Sequence, residues 1–166
     1  SKINTLREDT NKLIRFIDKL NENFIIIYPN NDPGSKIILS CYEKIKDKKY
    51  KVLKNLRFEY FLALLKNAKY IIGNSSSAIY EAPMLGTPAI NIGDRQHKRM
   101  KSKIIKNLSI DEMEILKIYK FLKSYKKIEK KFYGYGNSDK KFLNILLNPE
   151  FWNIPKQKFF SDLKKN

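Results

Sequence analysis

The stretch GNSSSAIYEAP, residues 73–83, sets three hydroxyls just after the apolar run Tyr70-Ile71-Ile72, and a carboxylate four residues beyond the last of them. Gly73 permits a tight turn and close approach to the backbone. Ser75, Ser76 and Ser77 add small hydroxyl donors. A helix running from about Ser77 to Gly86 would offer unpaired N–H groups and a partial positive charge at its start. Together these make a seat for a phosphate or diphosphate. Taken alone, the serines fit an ordinary N-cap with polar filler equally well. Glu81 shifts the balance. Four residues after Ser77, it falls on the same helix face, where a neighbouring anion would repel it unless it has separate work. Accepting both hydroxyls of a ribose suits its two oxygens; the alternative is a surface carboxylate bonded to Ser77 or a lysine. Arg95, just past the strand-like PAINIG, offers a planar fork of donors suited to a diphosphate. Diphosphate, ribose and cation point to a nucleotide or nucleotide-sugar site.

Other polar candidates carry less. Asn30, Asn31 and Asp32 belong to NNDPGS, first of all a turn signal. Phe58 suits stacking on a base, against the plainer role of core residue or staple at a helix start. Arg99 reads as a solvated cation, and His97, the only histidine, lies in a basic loop without partners that would make it catalytic. No Cys/His cluster suggests a metal, and there is no P-loop, so neither metal nor cofactor is expected.

These residues need a scaffold, and the chain alternates between helical and strand patterns. Leu13, Phe16, Ile17 and Leu20 share one helical face within 6–22. FIIIYP follows as a strand apolar on both faces, then a helix with Ile37, Ile38, Cys41, Tyr42 and Ile45. YKVLK is a short strand. A helix from Phe58 to Ala68 turns Phe61, Leu62 and Leu65 inward, and KYIIGN is the next strand. PAINIG and a weaker SKIIKN complete the strands. A capping box, Ser109 to Glu112, opens a helix; Ser138 caps another running to Leu147; short helical pieces fill Trp152 to Asn166. Alternation at this spacing means an α/β fold, a Rossmann-like parallel sheet flanked by helices. Residues 1–148 form the domain and 149–166 a helical tail. In such sheets ligands lie beyond the carboxyl ends of the strands. NNDPGS, GNSSS and GDRQHKR fall at that end.

Composition bounds the reading. The chain has 166 residues, 42% of them hydrophobic, enough for a proper core. No run approaches a membrane span and the first ten residues lack a signal-peptide core, so neither membrane nor export is expected. One cysteine, Cys41, agrees with a reducing cytoplasm. The net charge of +17 raises nucleic-acid binding as an alternative. However, only five of the 34 basic residues are arginines, and the 29 lysines are dispersed as on solvated faces. No nucleic-acid partner is expected.

YPNNDPGS, IIGNSSSAIYEAP, LGTPAINIGDRQ and YGYGN, in that order, resemble the C-terminal half of hydrolysing UDP-N-acetylglucosamine 2-epimerases of the sialic- and legionaminic-acid type, over the chain to about residue 148. The resemblance implies one half of a GT-B pair of Rossmann-like domains with the active site between them. It matches Ser75 and Ser76 to diphosphate-binding serines, Glu81 to a ribose-binding glutamate and Arg95 to a nucleotide-binding arginine. Asn30 matches a position lining the cleft, and Leu56 and Phe58 fall in the segment that contacts uracil. The family expels UDP across C1–C2 of the sugar and adds water to the resulting glycal. Its carboxylates and histidine for proton transfer lie upstream of Ser1, so no catalytic residue is assigned within this chain. The expected partners are a UDP-sugar, an N-terminal domain in cis or trans, and a second copy in a homodimer. Three departures stand out: Ala78 where glycine is usual, His97-Lys98 after the RQ pair, and Tyr135 in the YGYGN loop. The nucleotide-sugar half of a GT-B glycosyltransferase is the alternative enzyme reading.

Overall fold

A computed structural model describes residues 2–45, 47–96, 99–100, 102–125, 134–153 and 157, with side chains from residue 5 onward. The chain divides into two compact units, Ser1–Lys130 and Lys131–Asn166.

The first unit opens with α1 (Lys2–Lys19), whose face at 13, 16, 17 and 20 enters the core as the spacing requires. The helix stops at Asn21, which takes a left-handed φ of 49°, a conformation asparagine tolerates better than most residues. Then follow β1 (Phe24–Ile27), α2 (Ser35–Tyr42), β2 (Tyr50–Leu53), α3 (Phe58–Asn67), β3 (Ile71–Gly73), α4 (Glu81–Met84), β4 (Ala89–Ile92), β5 (Ile105–Leu108) and α5 (Ile115–Ser124). Every strand pair is parallel, in two ladders: β1-β2 and β3-β4-β5. Packing rather than hydrogen bonding spans the gap, for Phe24 meets Tyr70 edge-on at 6.3 Å and both ladders share one core. Strand β4 shows how the sheet is used. Ile90 and Ile92 join the core with Phe16, Leu20, Leu108 and Ile118, while Ala89 faces the other way onto Leu65, Ala78 and Ile79, as side-chain alternation demands.

Three sequence expectations need correcting. FIIIYP is not buried on both faces: Phe24 and Ile26 pack inward, but Ile25 points opposite and is 49% exposed. The continuous helix from Ser77 to Gly86 is instead a 3-10 turn (Ser76–Ala78) followed by the four-residue α4. The reason is Pro83, which has no N–H to give the Ile79 carbonyl and whose ring would collide with it; a proline is tolerated only in a first turn, where α4 places it. The helix does end as anticipated. Gly86 takes φ 68°, its N–H reaches the Pro83 carbonyl at 3.3 Å, and the Thr87 N–H reaches Ala82 at 2.8 Å, a Schellman closure. Third, the Ser109 capping box forms, with the Glu112 carboxylate accepting the Ser109 N–H at 2.8 Å, but it opens a 3-10 turn ahead of α5.

The second unit contains α6 (Ser138–Leu147) and α7 (Pro149–Trp152). Asn137 rather than Ser138 holds the cap position of α6. Asn148 caps α7 through the Glu150 N–H, and the Trp152 indole donates to the Leu146 carbonyl at 2.8 Å. Most of the expected tail beyond Trp152 lies outside the described residues.

Candidate functional site

Parallel strands point their carboxyl ends one way, and the loops leaving β1, β3 and β4 are joined there by side chains. Beyond β1, NNDPGS makes a turn in which the Ser35 N–H bonds to the Asp32 carbonyl at 3.0 Å. Gly34 completes it at φ 91°, and a Cβ there would stand 2.5 Å from Leu6 Cδ2. Asp32 projects from this turn and accepts from Arg95 Nη2 at 2.9 Å. The two side chains are about half exposed, 53% and 57%. A single contact leaves most of the guanidinium's five donors available. Asn30 is exposed on the same loop.

Beyond β3, Gly73 takes φ 142°, and a Cβ there would meet nothing within 4 Å, so the approach to its backbone is open. Ser75 and Ser76 are exposed. Ser75 caps the 3-10 turn, its Oγ accepting the Ser77 N–H at 3.3 Å, and its hydroxyl hydrogen remains free to donate. The turn closes through Ala78 N–H to the Ser75 carbonyl at 3.1 Å and Ile79 N–H to the Ser76 carbonyl at 2.9 Å. Because the long helix is absent, the full macrodipole expected behind the serines is absent too. The donors of the loop itself are what remain. Ala78 does not crowd this surface: it is fully buried against Leu65, Ile79 and Ala82.

Glu81 begins α4, so the argument that set it on one helical face with Ser77 does not hold. Its backbone belongs to a new helical segment. Its side chain is half-buried, and Oε2 is sealed from solvent without a hydrogen-bond partner. An acceptor left so costs about 1–3 kcal/mol, a cost that a ligand's hydroxyl would remove.

Beyond β4, Arg95 and Gln96 reach to different loops. Arg95 meets Asp32. Gln96, only 3% exposed, donates from Nε2 to the Asn74 carbonyl at 3.1 Å, while its Oε1 is buried and unpaired. Below them Asn91, fully buried on β4, donates to Asn107 Oδ1 across the β4-β5 pair at 2.8 Å. Sequence reasoning missed Gln96 and the pairing of Asp32 with Arg95. No periodicity or motif marks a loop glutamine, and 63 residues separate the two charges.

Leu56 and Phe58 stand on the connection after β2, whose parallel pairing with β1 puts them at the same end of that ladder as Asp32. Leu56 is half-buried. Phe58 is 59% exposed, stacked only on Phe61 with centroids 6.5 Å apart, so it is neither a core residue nor a staple. No contact joins it directly to the serine loop among the described residues. Arg99 is exposed, as a solvated cation should be. His97 and Lys98 lie outside the described residues, and Tyr135 is exposed in the second unit. Among the described residues no three His, Cys, Asp or Glu side chains gather as a metal site, and no helix is long and apolar enough to cross a membrane.

Comparison with known proteins places this geometry. The family model described as UDP-N-acetylglucosamine 2-epimerase matches residues 3–147. The chain is 40% identical over 146 residues to the UDP-N-acetylglucosamine 2-epimerase of Neisseria meningitidis serogroup B, covering 86% of this chain and 39% of that one. It is 34% identical over 116 residues to the GDP/UDP-N,N'-diacetylbacillosamine 2-epimerase (hydrolyzing) of Campylobacter jejuni, covering 68% of this chain and 30% of that one. In three dimensions it is similar to the Methanocaldococcus jannaschii UDP-GlcNAc 2-epimerase crystallised with UDP-GlcNAc and UDP, with a TM-score of 0.64 at 22% identity over 86% of this chain and 41% of that one. The chain therefore spans about two fifths or less of the length of these proteins.

Proposed function

The chain belongs to the UDP-N-acetylglucosamine 2-epimerase family, and from that premise we propose that it is the nucleotide-binding part of a hydrolysing UDP-sugar 2-epimerase. Ser75 and Ser76 receive the diphosphate together with Arg95, Glu81 accepts the ribose hydroxyls, and Asn30 lines the cleft. Leu56 and the exposed face of Phe58 border the uracil. The observation that carries this is the union of three strand-end loops by Asp32–Arg95 and Gln96–Asn74, around exposed serines and beside a buried acceptor on Glu81 that lacks a donor.

The reaction removes the proton from C2 of the sugar as the C1–O bond breaks, so that UDP departs with the electron pair and leaves a glycal. Water then adds its oxygen to C1 and a proton enters C2 from the other face, giving the 2-epimeric free sugar. This chain's residues hold the nucleotide and neutralise charge growing on the departing diphosphate. Proton transfer at C2 falls to a second domain, in the same polypeptide or another, a division supported by the share of its relatives' length that the chain spans. The diacetylbacillosamine enzyme among the relatives makes a diacetylated sugar the second candidate substrate beside UDP-GlcNAc.

The test is calorimetric titration of the 166-residue chain with UDP, with CDP and inorganic phosphate as controls, repeated on Glu81→Ala and Arg95→Ala. Half a site is expected to bind UDP with a dissociation constant on the order of 0.1–1 mM, about 4 to 5.5 kcal/mol. Both variants should lose that binding. Equal affinity for UDP and inorganic phosphate, or wild-type affinity in both variants, would overturn the reading.

A further inference from the structure

We infer that Gln96 is a positioning residue, holding the serine loop in its binding shape through the Asn74 carbonyl; this rests on the diphosphate seat proposed above. The amide is 97% buried from solvent by its 3% exposure, so the 3.1 Å bond to Asn74 is neither screened nor exchanged with water. Its orientation is fixed: turned over, the amide oxygen would face a carbonyl oxygen. Asn74 immediately precedes Ser75, the cap of the 3-10 turn, and Gln96 immediately follows Arg95. One bond therefore sets the distance between the hydroxyl donors and the guanidinium, two parts of the seat that no backbone ladder connects beyond Gly73 and Asn91, the last β3-β4 register pair. The uncompensated Oε1 is further evidence of a placement not chosen for stability alone. Gln96 acts through Asn74 and needs no contact with the ligand.

Two variants and two readouts test this. Gln96→Ala removes the donor; Gln96→Glu replaces it with a carboxylate that cannot donate at neutral pH and regains an O–H donor when protonated, near pH 4. In Gln96→Ala, UDP should bind about fivefold more weakly, uridine as in the wild type. Hydrogen-exchange protection of the Ala78 and Ile79 amides, which close the serine turn, should fall by a similar factor, while that of Ala89 and Gly93 in the ladder should stay unchanged. In Gln96→Glu, protection at Ala78 and Ile79 should be low at pH 7 and return toward wild-type at pH 4, a recovery Gln96→Ala cannot show. Unchanged protection at Ala78 and Ile79 in both variants overturns the inference. So does an equal loss at Ala89 and Gly93, which would make Gln96 a general stabiliser. Failure of the wild-type chain to bind UDP would sink the proposed function instead, and protection alone would still decide whether Gln96 holds the loop.

Discussion

Replacing Asp32 with asparagine should tighten UDP binding, although it removes the only ion pair that Arg95 makes among the described residues. Two effects compete. The pair could hold the guanidinium in place, and its loss would then weaken binding. Both side chains are more than half exposed, however, and such pairs are worth about 0–1 kcal/mol. Against this stands repulsion. An anion on the remaining donors of the same guanidinium would lie roughly 5–6 Å from the Asp32 carboxylate. At that range two unit charges in a water-like dielectric repel by about 0.75 kcal/mol, so a diphosphate with about two charges meets about 1.5 kcal/mol. Repulsion wins by a margin of about 0.5–1.5 kcal/mol, and Asp32→Asn should bind UDP roughly three- to tenfold more tightly at low salt. Uridine, without phosphates, should be unaffected. At 1 M salt, where the Debye length is about 3 Å, the gain should vanish. Calorimetric titrations of both proteins at low ionic strength and at 1 M salt measure this directly. Weaker UDP binding by Asp32→Asn would refute the reasoning and show that the pair positions Arg95. A gain that persists at 1 M salt would refute its electrostatic basis.

Glu81→Ala should weaken UDP binding about tenfold or more without lowering the melting temperature, because it removes a buried carboxylate oxygen that has no partner; titration and calorimetric melting read the two effects separately. Gly34→Ala should destabilise the fold by about 2 kcal/mol, from a left-handed φ of 91° and a Cβ driven against Leu6. In a Leu6→Ala background, urea melts should show only the backbone part, about 1 kcal/mol, a coupling that a purely conformational effect would lack. Tyr50 donates to Asp18, and burial, then that bond and the carboxylate charge, push its hydroxyl above the ordinary value of 10.0. The folded form thus holds its proton more tightly than the unfolded chain does, so the stabilisation is full below about pH 10 and is lost as pH rises further. Urea melts from pH 8 to 11 should show this decline, and Tyr50→Phe should flatten it.

Much of the architecture was legible in local patterns because it depends on them. The spacing at Leu13, Phe16, Ile17 and Leu20 makes a helical face wherever that helix sits, and Gly86 ahead of Pro88 ends one by its own backbone freedom. The parallel strands, the loops at their carboxyl ends and the serines on one of them followed from alternation and turn chemistry. Where a local preference met a local veto, the veto was also in the sequence: Pro83 breaks the helix that the apolar pattern extends.

What needed the tertiary structure was every relation between distant residues. Whether Ile25 is covered depends on which elements pack over β1, and whether Phe58 is buried depends on what approaches α3. The ion pair of Asp32 with Arg95 and the bond from Gln96 to Asn74 join residues 63 and 22 positions apart, respectively. Side-chain type announces that such groups can bond, but only the fold brings them within 3.1 Å of each other. The residue types settle the chemistry available at this site, and the distances between them are properties of the packed sheet.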